Sequence, residues 1–208
     1  MMKWRHGLII MPIYRHILFF LLLTFFLPSS LANQALFFFK KNQLSFGYYN
    51  KYVLPQKDPK LPSPLFWRSN KNVDDGFSLI YTRNAFHTKK YFSINVGTSL
   101  SSWSSQSQVQ LALSAFFVFR IWLFHTTWFN PYIDWSIAGP TLLSRRWFGD
   151  DNLGGRFIFQ DFLGIGAQIG KTHTINISFN MYHYSNGDLF VHNDGFNVPL
   201  VLVVGYSF

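Results

Sequence analysis

Residues 92–101 have the sequence FSINVGTSLS, in which an apolar or β-branched residue alternates with a small or polar one. Alternation with a period of two is the pattern of a β-strand whose two faces lie in different surroundings. The same period recurs along most of the chain after residue 42, and no later run of apolar residues is long enough for a membrane-spanning helix. The sequence therefore predicts an all-β protein.

Eight strands are predicted, and their connections alternate between long and short. The predicted strands are residues 43–53, 76–86, 92–101, 109–119, 132–137, 156–169, 173–185 and 196–208. The long connections are residues 54–75, 102–107, 143–155 and 186–195, and the short ones are residues 87–90, 124–129 and 170–172. Long loops at one end and short turns at the other are typical of an antiparallel transmembrane β-barrel of the outer membrane.

The alternative is a secreted soluble barrel of the lipocalin type, whose apolar face points inward and whose exterior is charged. In this sequence the faces opposite the apolar residues carry Ser, Gly, Asn and Gln with few charges. Small and polar residues suit the narrow interior of an eight-stranded barrel. The sequence therefore favours the membrane barrel, whose predicted last strand also ends in an aromatic residue, Phe208.

Composition limits the chemistry and the partners of the chain. Charged residues make up 13% of the 208 residues, about half the globular average, and aromatic residues make up 20%. The chain has no Cys, which excludes disulfides and thiolate metal sites, and its nine acidic residues are all Asp. The net charge of +9 comes from scattered Lys and Arg, so we expect contact with anionic lipid and not with nucleic acid.

Residues 1–32 have the pattern of a secretory signal peptide. Basic residues precede an apolar segment at residues 17–27, and small residues at 28–32 provide a cleavage site. The apolar segment is too short to cross a bilayer about 30 Å thick as a helix. The predicted mature domain is residues 33–208, and the translation start is either the first methionine or Met11.

The seventh predicted strand ends in residues 183–187, HYSNG, which place a potential base and a potential nucleophile two residues apart. In a strand, residues i and i+2 point to the same face, so His183 and Ser185 can lie side by side as activation of a serine requires. Both share a register with apolar residues. They are therefore predicted on the lipid-facing side at the level of the outer leaflet, where the available ester belongs to lipopolysaccharide.

The segment His183-Tyr184-Ser185-Asn186, followed by Asn193, Gly195 and a polar residue at 197, resembles the active-site signature of the lipid A 3-O-deacylase (PagL) family of outer-membrane barrels. Further similar segments are residues 131–133, 149–150, 152–154 and 159–161. The motifs cover residues 129–208, whereas residues 33–128 are similar only in pattern.

The resemblance implies roles for the matching residues. Ser185 would be the nucleophile and His183 the general base. Asn193 would stabilise the oxyanion together with backbone N–H groups of the turn from Asn186 to Asp188. No metal or cofactor is implied, and the substrate would be lipopolysaccharide in the outer membrane of a Gram-negative cell.

Position 197 departs from the family, whose reference members carry an acid there to hold the histidine ring. The residue in this chain is Asn197, so Asp194 and Asp188 are alternative acids close in sequence. Strict alternation places Asn197 on the face opposite Phe196 and Val198, and an irregularity at the end of the strand is required. Replacing Asn197 by Asp is expected to preserve or raise activity.

The sequence also allows an alternative function and contains isolated polar residues. A structural or adhesion barrel that has lost the chemistry is the alternative function, and a homodimer is neither required nor excluded. Asp161 is an isolated acid on an otherwise apolar register, and His192 is expected to be an ordinary loop residue. Asp134, Asp161, His125 and His173 have no spacing that indicates a metal site.

Overall fold

The computed structural model describes residues 40–54, 67, 69, 71–88 and 90–208, whose long strands close into an eight-stranded antiparallel barrel. The strands are β1 (Asn42–Asn50), β2 (Asp75–His87), β3 (Phe92–Ser105), β4 (Gln108–Trp122), β5 (Phe129–Leu143), β6 (Trp147–Phe148), β7 (Asp151–Asn152), β8 (Phe157–Ile169), β9 (Ile175–Ser185) and β10 (Phe196–Ser207). Their order around the barrel is β1-β10-β9-β8-β5-β4-β3-β2, while β6 and β7 form a separate small hairpin. The predicted fold class is confirmed. The predicted signal peptide lies outside the described residues.

Three longer connections begin and end at the same end of the barrel, called here the outer end. They are the first outer loop between β1 and β2, of which residues 51–54, 67, 69 and 71–74 are described, and the connections at residues 144–156 and 186–195. The opposite end carries the connections at residues 88–91, 123–128 and 170–174. Among the described residues, no helix is long and apolar enough to cross a bilayer.

The side chains of the strands have apolar groups outside and polar groups inside. On β4, Leu113 is 52% exposed and Phe117 is 59% exposed, whereas the intervening Ser114 is 1% exposed. This arrangement is the reverse of a soluble barrel, in which the apolar face forms the core. An apolar exterior around a polar interior suits a barrel that faces lipid.

The hairpin between β3 and β4 corrects the prediction of a loop at residues 102–107. Both strands extend to a turn of only two residues, Gln106 and Ser107, whose φ angles are 50° and 62°. Positive φ at both central residues is characteristic of a type I′ turn, which matches the twist of paired strands. A run of serines was a misleading signal here, because the interior of this barrel is itself polar.

Strict alternation, which places Phe196 and Val198 on one face and Asn197 on the other, does not continue along the whole of β10. Phe196 and Val198 are fully buried, whereas Val204 and Tyr206 are about half exposed. The register between β10 and β9 shifts between Val198 and Val201, and Pro199, which has no N–H to donate, lies inside this irregularity. The shift reverses which alternate residues face outward.

Aromatic side chains close the interior at the outer end. Trp103 Nε1 donates a hydrogen bond of 3.1 Å to the Tyr184 hydroxyl. The Tyr184 ring stacks on Phe196 with centroids 4.6 Å apart, and Phe148 packs edge-on against Phe196. These contacts fix the outer ends of β9 and β10, which carry the candidate site on their other face.

Candidate active site

Three polar residues form a row across the outer face of three neighbouring strands. His183 on β9 is directly opposite Asp161 on β8 and Asn197 on β10. Asn197 joins this row because of the register shift in β10, so the irregularity that the sequence required is present. Ser185, two residues beyond His183, lies opposite Phe159. The structure therefore brings His183, Ser185 and Asn197 together at the outer end of the barrel.

A hydrogen bond between His183 and Asn197 determines how the imidazole is oriented. His183 Nδ1 lies 2.8 Å from Asn197 Oδ1, and Asn197 Nδ2 donates to the Ser69 carbonyl oxygen at 3.0 Å. Since the amide nitrogen is directed at a carbonyl, the amide oxygen faces the ring and accepts the Nδ1 proton. The ring nitrogen Nε2 then carries the lone pair that a general base needs.

The His183 ring is covered, although its register is the outward one that the sequence predicts. A side chain on the outward face of β9 would ordinarily be exposed to lipid, but His183 is only 3% exposed. The Trp67 indole, from the first outer loop, stacks on the imidazole with centroids 5.6 Å apart and an interplanar angle of 12°. The base is therefore enclosed between the sheet and this loop.

Gly195 makes room for the side chains of His183 and Ser185. A Cβ atom at Gly195 would lie 3.4 Å from Ser185 Cβ, 3.6 Å from His183 Cε1 and 2.8 Å from the Tyr184 carbonyl oxygen. The φ angle of Gly195 is +60°, a conformation that residues with a Cβ rarely adopt. Both the backbone and the space at this position favour glycine.

Gly195→Ala should lower the rate of any ester hydrolysis at this site by about tenfold or more, because the crowded Cβ displaces groups that must be held within a fraction of an ångström. The matched control is Gly170→Ala at the opposite end of the barrel, where φ is +90° and no atom lies within 4 Å of a new Cβ. The control carries similar backbone strain without crowding the site. Equal rates in both variants would contradict a catalytic role for this packing, and the steady-state rate of ester hydrolysis by each purified variant measures the difference.

The loop after β9 uses part of the predicted oxyanion site for its own structure. The Asn186 N–H donates to Asn193 Oδ1 at 2.8 Å, and Asn193 Nδ2 donates to Asp188 Oδ1 at 2.8 Å. Asn186 N–H is therefore occupied, in contrast to the prediction. Among the described residues, the backbone N–H groups of Gly187 and Asp188 do not donate to a side chain of this loop. Of the two hydrogens on Asn193 Nδ2, one is bonded to Asp188 and the other can donate to a substrate.

The side chain of Asn186 is a structural anchor. It is fully buried, and its Nδ2 donates to the carbonyl oxygens of Leu153 and His192. The bond to Leu153 joins the loop after β9 to the segment after β7, and the bond to His192 closes the loop after β9 on itself. The predicted loop position of His192 is confirmed, since its side chain is exposed.

The two alternative acids have other partners. Asp194 Oδ2 accepts a hydrogen bond of 2.7 Å from the Asn152 N–H, in the β6–β7 hairpin. Asp188 accepts from Asn193, as described above. The side chain that contacts the His183 ring nitrogen is therefore that of Asn197.

Asp161, which the sequence left unexplained, stabilises an irregularity in β5. Its Oδ1 accepts a hydrogen bond from the Ala138 N–H, where φ is 52° and the pairing of β5 with β8 shifts between Ser136 and Gly139. A bulge leaves a backbone group unpaired, and the carboxylate satisfies it. The isolated acid on an apolar register was the sequence signal of this bulge.

The sequence prediction missed the contribution of the loop at residues 54–75. Besides the Ser69 carbonyl and the Trp67 ring, the backbone of this loop pairs with β10, since Asn197 N–H donates to the Lys71 carbonyl oxygen and Val73 N–H donates to the Asn197 carbonyl oxygen. The segment has no periodic pattern, and its prolines and charges indicate only a connection. Nothing in its composition points to a distant histidine.

The chemistry of this arrangement is nucleophilic. A serine and an oriented imidazole on one face can attack an ester and form an acyl-enzyme. Within the described part of the chain, no three His or Asp side chains lie together as a metal site requires. No hydrogen bond between the described residues joins Ser185 to His183, and such bonds commonly tighten only when substrate is bound.

Comparisons with known proteins show the family and the fold of the chain. The family model described as lipid A 3-O-deacylase (PagL) matches residues 67–207, a range that begins at Trp67 and includes every candidate catalytic residue. A solved structure described as that of the outer membrane enzyme PagL has the same fold, with a TM-score of 0.52 and 17% sequence identity over 79% of this chain and 97% of that chain. The search of curated proteins gave no match. Because the family match spans more than half of the chain, the protein belongs to the lipid A 3-O-deacylase (PagL) family.

Proposed function

We propose that the protein hydrolyses an ester-linked 3-hydroxyacyl chain of lipid A by a serine mechanism in the outer leaflet of the outer membrane. The observation that carries this proposal is the hydrogen bond from His183 to Asn197, with Ser185 two residues further along the same outward face. An oriented base beside a hydroxyl on a lipid-facing surface is the arrangement that ester cleavage in a membrane lipid needs.

In the first half of the reaction, His183 Nε2 takes the proton of the Ser185 hydroxyl as its oxygen attacks the ester carbonyl. The Asn193 amide and the N–H groups of Gly187 and Asp188 would stabilise the negative oxygen of the tetrahedral intermediate. Asn197 Oδ1 accepts from the imidazolium that forms. Collapse of the intermediate breaks the bond to the sugar oxygen, which takes the proton from Nε2 and leaves an acyl-enzyme.

In the second half, water attacks the acyl-enzyme while His183 takes one of its protons and then returns it to the Ser185 oxygen. The products are a free 3-hydroxy fatty acid and a lipid A with one free hydroxyl. Every bond that forms or breaks is accounted for by the serine, the imidazole and one water. No cofactor is needed for this balance.

The surface beside Ser185 suits an acylated and phosphorylated lipid. Phe159 lies opposite Ser185, and the neighbouring Phe157 is 42% exposed on the outward face, where it can contact an acyl chain. Arg145 and Arg146 are exposed in the outer loop after β5 and can pair with phosphate groups. An apolar outward surface together with exposed basic residues in an outer loop supports lipopolysaccharide as the substrate.

The proposed location requires export of the chain. Residues 1–32 would direct secretion and be removed, and residues 33–208 would then insert into the outer membrane. A shift in gel mobility between unheated and boiled samples would report the folded barrel, since a closed barrel has no free edge from which to unzip.

The test is expression in a host that makes lipopolysaccharide, followed by mass spectrometry of its lipid A. The expected result is loss of the mass of one 3-hydroxyacyl chain. A folded barrel that leaves lipid A unchanged would contradict the proposal and favour the alternative of a structural or adhesion barrel. Purified lipopolysaccharide in detergent, mixed with the purified protein, excludes activities of the host.

A further inference from the structure

We propose that the first outer loop is a working part of the active site, in which the Ser69 carbonyl orients the Asn197 amide and thereby sets the tautomer of His183. Trp67 and Lys71 are the positioning residues that hold this loop in place. This inference rests on the proposed function, because it describes how the same histidine is prepared for catalysis. It explains why an asparagine can stand where the family carries an acid.

The argument begins with the two ends of the Asn197 side chain. An amide has an oxygen that accepts and a nitrogen that donates, and a rotation of 180° exchanges them. If the nitrogen faced the ring, it would donate to His183 Nδ1, and the ring proton would move to Nε2. That tautomer cannot accept a proton from a serine, so the direction of the amide decides whether the base functions.

Ser69 removes this ambiguity. Its carbonyl oxygen lies 3.0 Å from Asn197 Nδ2 and can only accept, so the amide nitrogen is held on that side. The amide oxygen therefore faces His183 Nδ1 at 2.8 Å. A carboxylate at position 197 would place an oxygen against the Ser69 carbonyl, and two acceptors at that distance repel each other. The side chain at position 197 and the backbone of the first outer loop are therefore matched. On this proposal we expect Asn197→Asp to lower activity, the opposite of the expectation from the sequence.

The loop is attached to the site through its backbone. Lys71 O accepts from Asn197 N–H at 2.8 Å, and Val73 N–H donates to Asn197 O at 3.0 Å. Asn72 consequently forms a parallel bridge with Asn197, which extends the sheet beside the outer end of β10. The segment that supplies the Ser69 carbonyl is thus paired to the very residue that this carbonyl orients.

The Lys71 side chain ties the same segment to the loop after β5. Its ammonium forms an ion pair with Asp151 and donates to the Phe148 carbonyl oxygen at 2.6 Å. The lysine side chain is 12% exposed, and its ammonium also lies 5.4 Å from the centre of the Phe148 ring. Since Phe148 is packed in the aromatic cluster of the barrel, the loop is connected to a rigid part of the molecule.

The first experiment replaces Asn197 by Asp and measures kcat and KM on purified lipopolysaccharide. We expect kcat to fall about tenfold or more with KM unchanged. The reason is that the Asn197 Nδ2 donor is replaced by a carboxylate oxygen, which the Ser69 carbonyl oxygen repels. Heat-dependent gel mobility confirms that the variant is folded. A kcat equal to or above that of the parent protein would overturn the inference, because it would show that a carboxylate is accepted at this position.

The second experiment reads the tautomer of His183 directly and does not depend on turnover. The ring nitrogens are observed by NMR in protein with ¹⁵N-labelled histidine. In the parent protein His183 should be in the Nδ1–H form. In Lys71→Ala it should be a mixture of both tautomers. The control is Lys51→Ala, which removes a 2.8 Å ion pair with Asp74 near the same loop but touches neither Asn197 nor Ser69. Its His183 should stay in the Nδ1–H form.

The outcomes separate this inference from the proposed function. If Lys71→Ala keeps a single Nδ1–H tautomer and the parent kcat, the loop does not set the tautomer and the inference is wrong. If the parent protein leaves lipopolysaccharide intact while Lys71→Ala still mixes the tautomers, the proposed function fails and the inference holds.

Trp67→Phe should retain more activity than Trp67→Ala, because the smaller ring can still stack on the imidazole.

Discussion

Ser185→Ala and His183→Ala should each reduce the release of the 3-hydroxyacyl chain roughly 10⁴-fold or more, the scale of loss when one member of a serine–histidine site is removed. Without the serine oxygen no acyl-enzyme forms, and without the imidazole the hydroxyl keeps its proton. The double variant should lose little more than either single one, because the two residues act as a unit.

The measurement is the rate of fatty acid release from lipopolysaccharide by each purified variant, with gel mobility as the test of folding. His192→Ala is the matched control for His183→Ala, since His192 lies in the adjoining loop with an exposed side chain. It should keep the parent rate. Full activity in Ser185→Ala would show that the nucleophile is assigned wrongly, while the family membership would be unaffected.

Arg120→Met should destabilise the barrel by about 3–5 kcal/mol, the range observed when one partner of a buried ion pair is removed. Arg120 Nε and Nη2 each donate to a different Asp134 oxygen at 2.8 Å, and the guanidinium lies 3.7 Å from the centre of the Tyr132 ring. Both charged side chains are buried in the barrel interior. Without the arginine, the Asp134 charge would remain there unpaired.

Urea unfolding of the barrel in lipid vesicles measures this effect through the midpoint and slope of the transition. The double variant Arg120→Met with Asp134→Leu should recover most of the loss, because no isolated charge is then buried. Lys51→Ala breaks an ion pair whose side chains are partly exposed, and it should leave the midpoint nearly unchanged. If Arg120→Met unfolds at the same urea concentration as the parent protein, the ion pair between Arg120 and Asp134 does not stabilise the barrel.

The candidate pair was predictable because it depends on local geometry. His183 and Ser185 are two residues apart in a strand, and the alternation of β9 fixes their common face in any register. Asp161 could be recognised in the sequence as an acid among the apolar residues of its strand. Its role became clear only from its hydrogen bond with the Ala138 N–H in β5. Asn197 was expected to reach the histidine only if the strand was irregular, and the shift at Pro199 provides that irregularity.

The loops were harder to predict for a physical reason. Ser102 and its neighbours appeared as a loop because polarity is ordinarily a sign of solvent, whereas in this barrel it marks the interior. The roles of Asn186, Asp188 and Asn193 depend on which hydrogen bonds a ten-residue loop makes with itself. The same donors and acceptors can be paired by several sets of hydrogen bonds, and only the folded chain selects one of these sets.

The sequence by itself determined the number of long strands, the lipid-facing side of the strands whose alternation is unbroken, and the common face of His183 and Ser185. Each of these follows from a period of two, which is a property of neighbouring residues and survives without knowledge of any partner strand. Only the tertiary structure decided what holds the histidine. The Ser69 carbonyl lies more than a hundred residues before Asn197, and their contact arises because β1 closes the barrel against β10 and carries its following loop over the site.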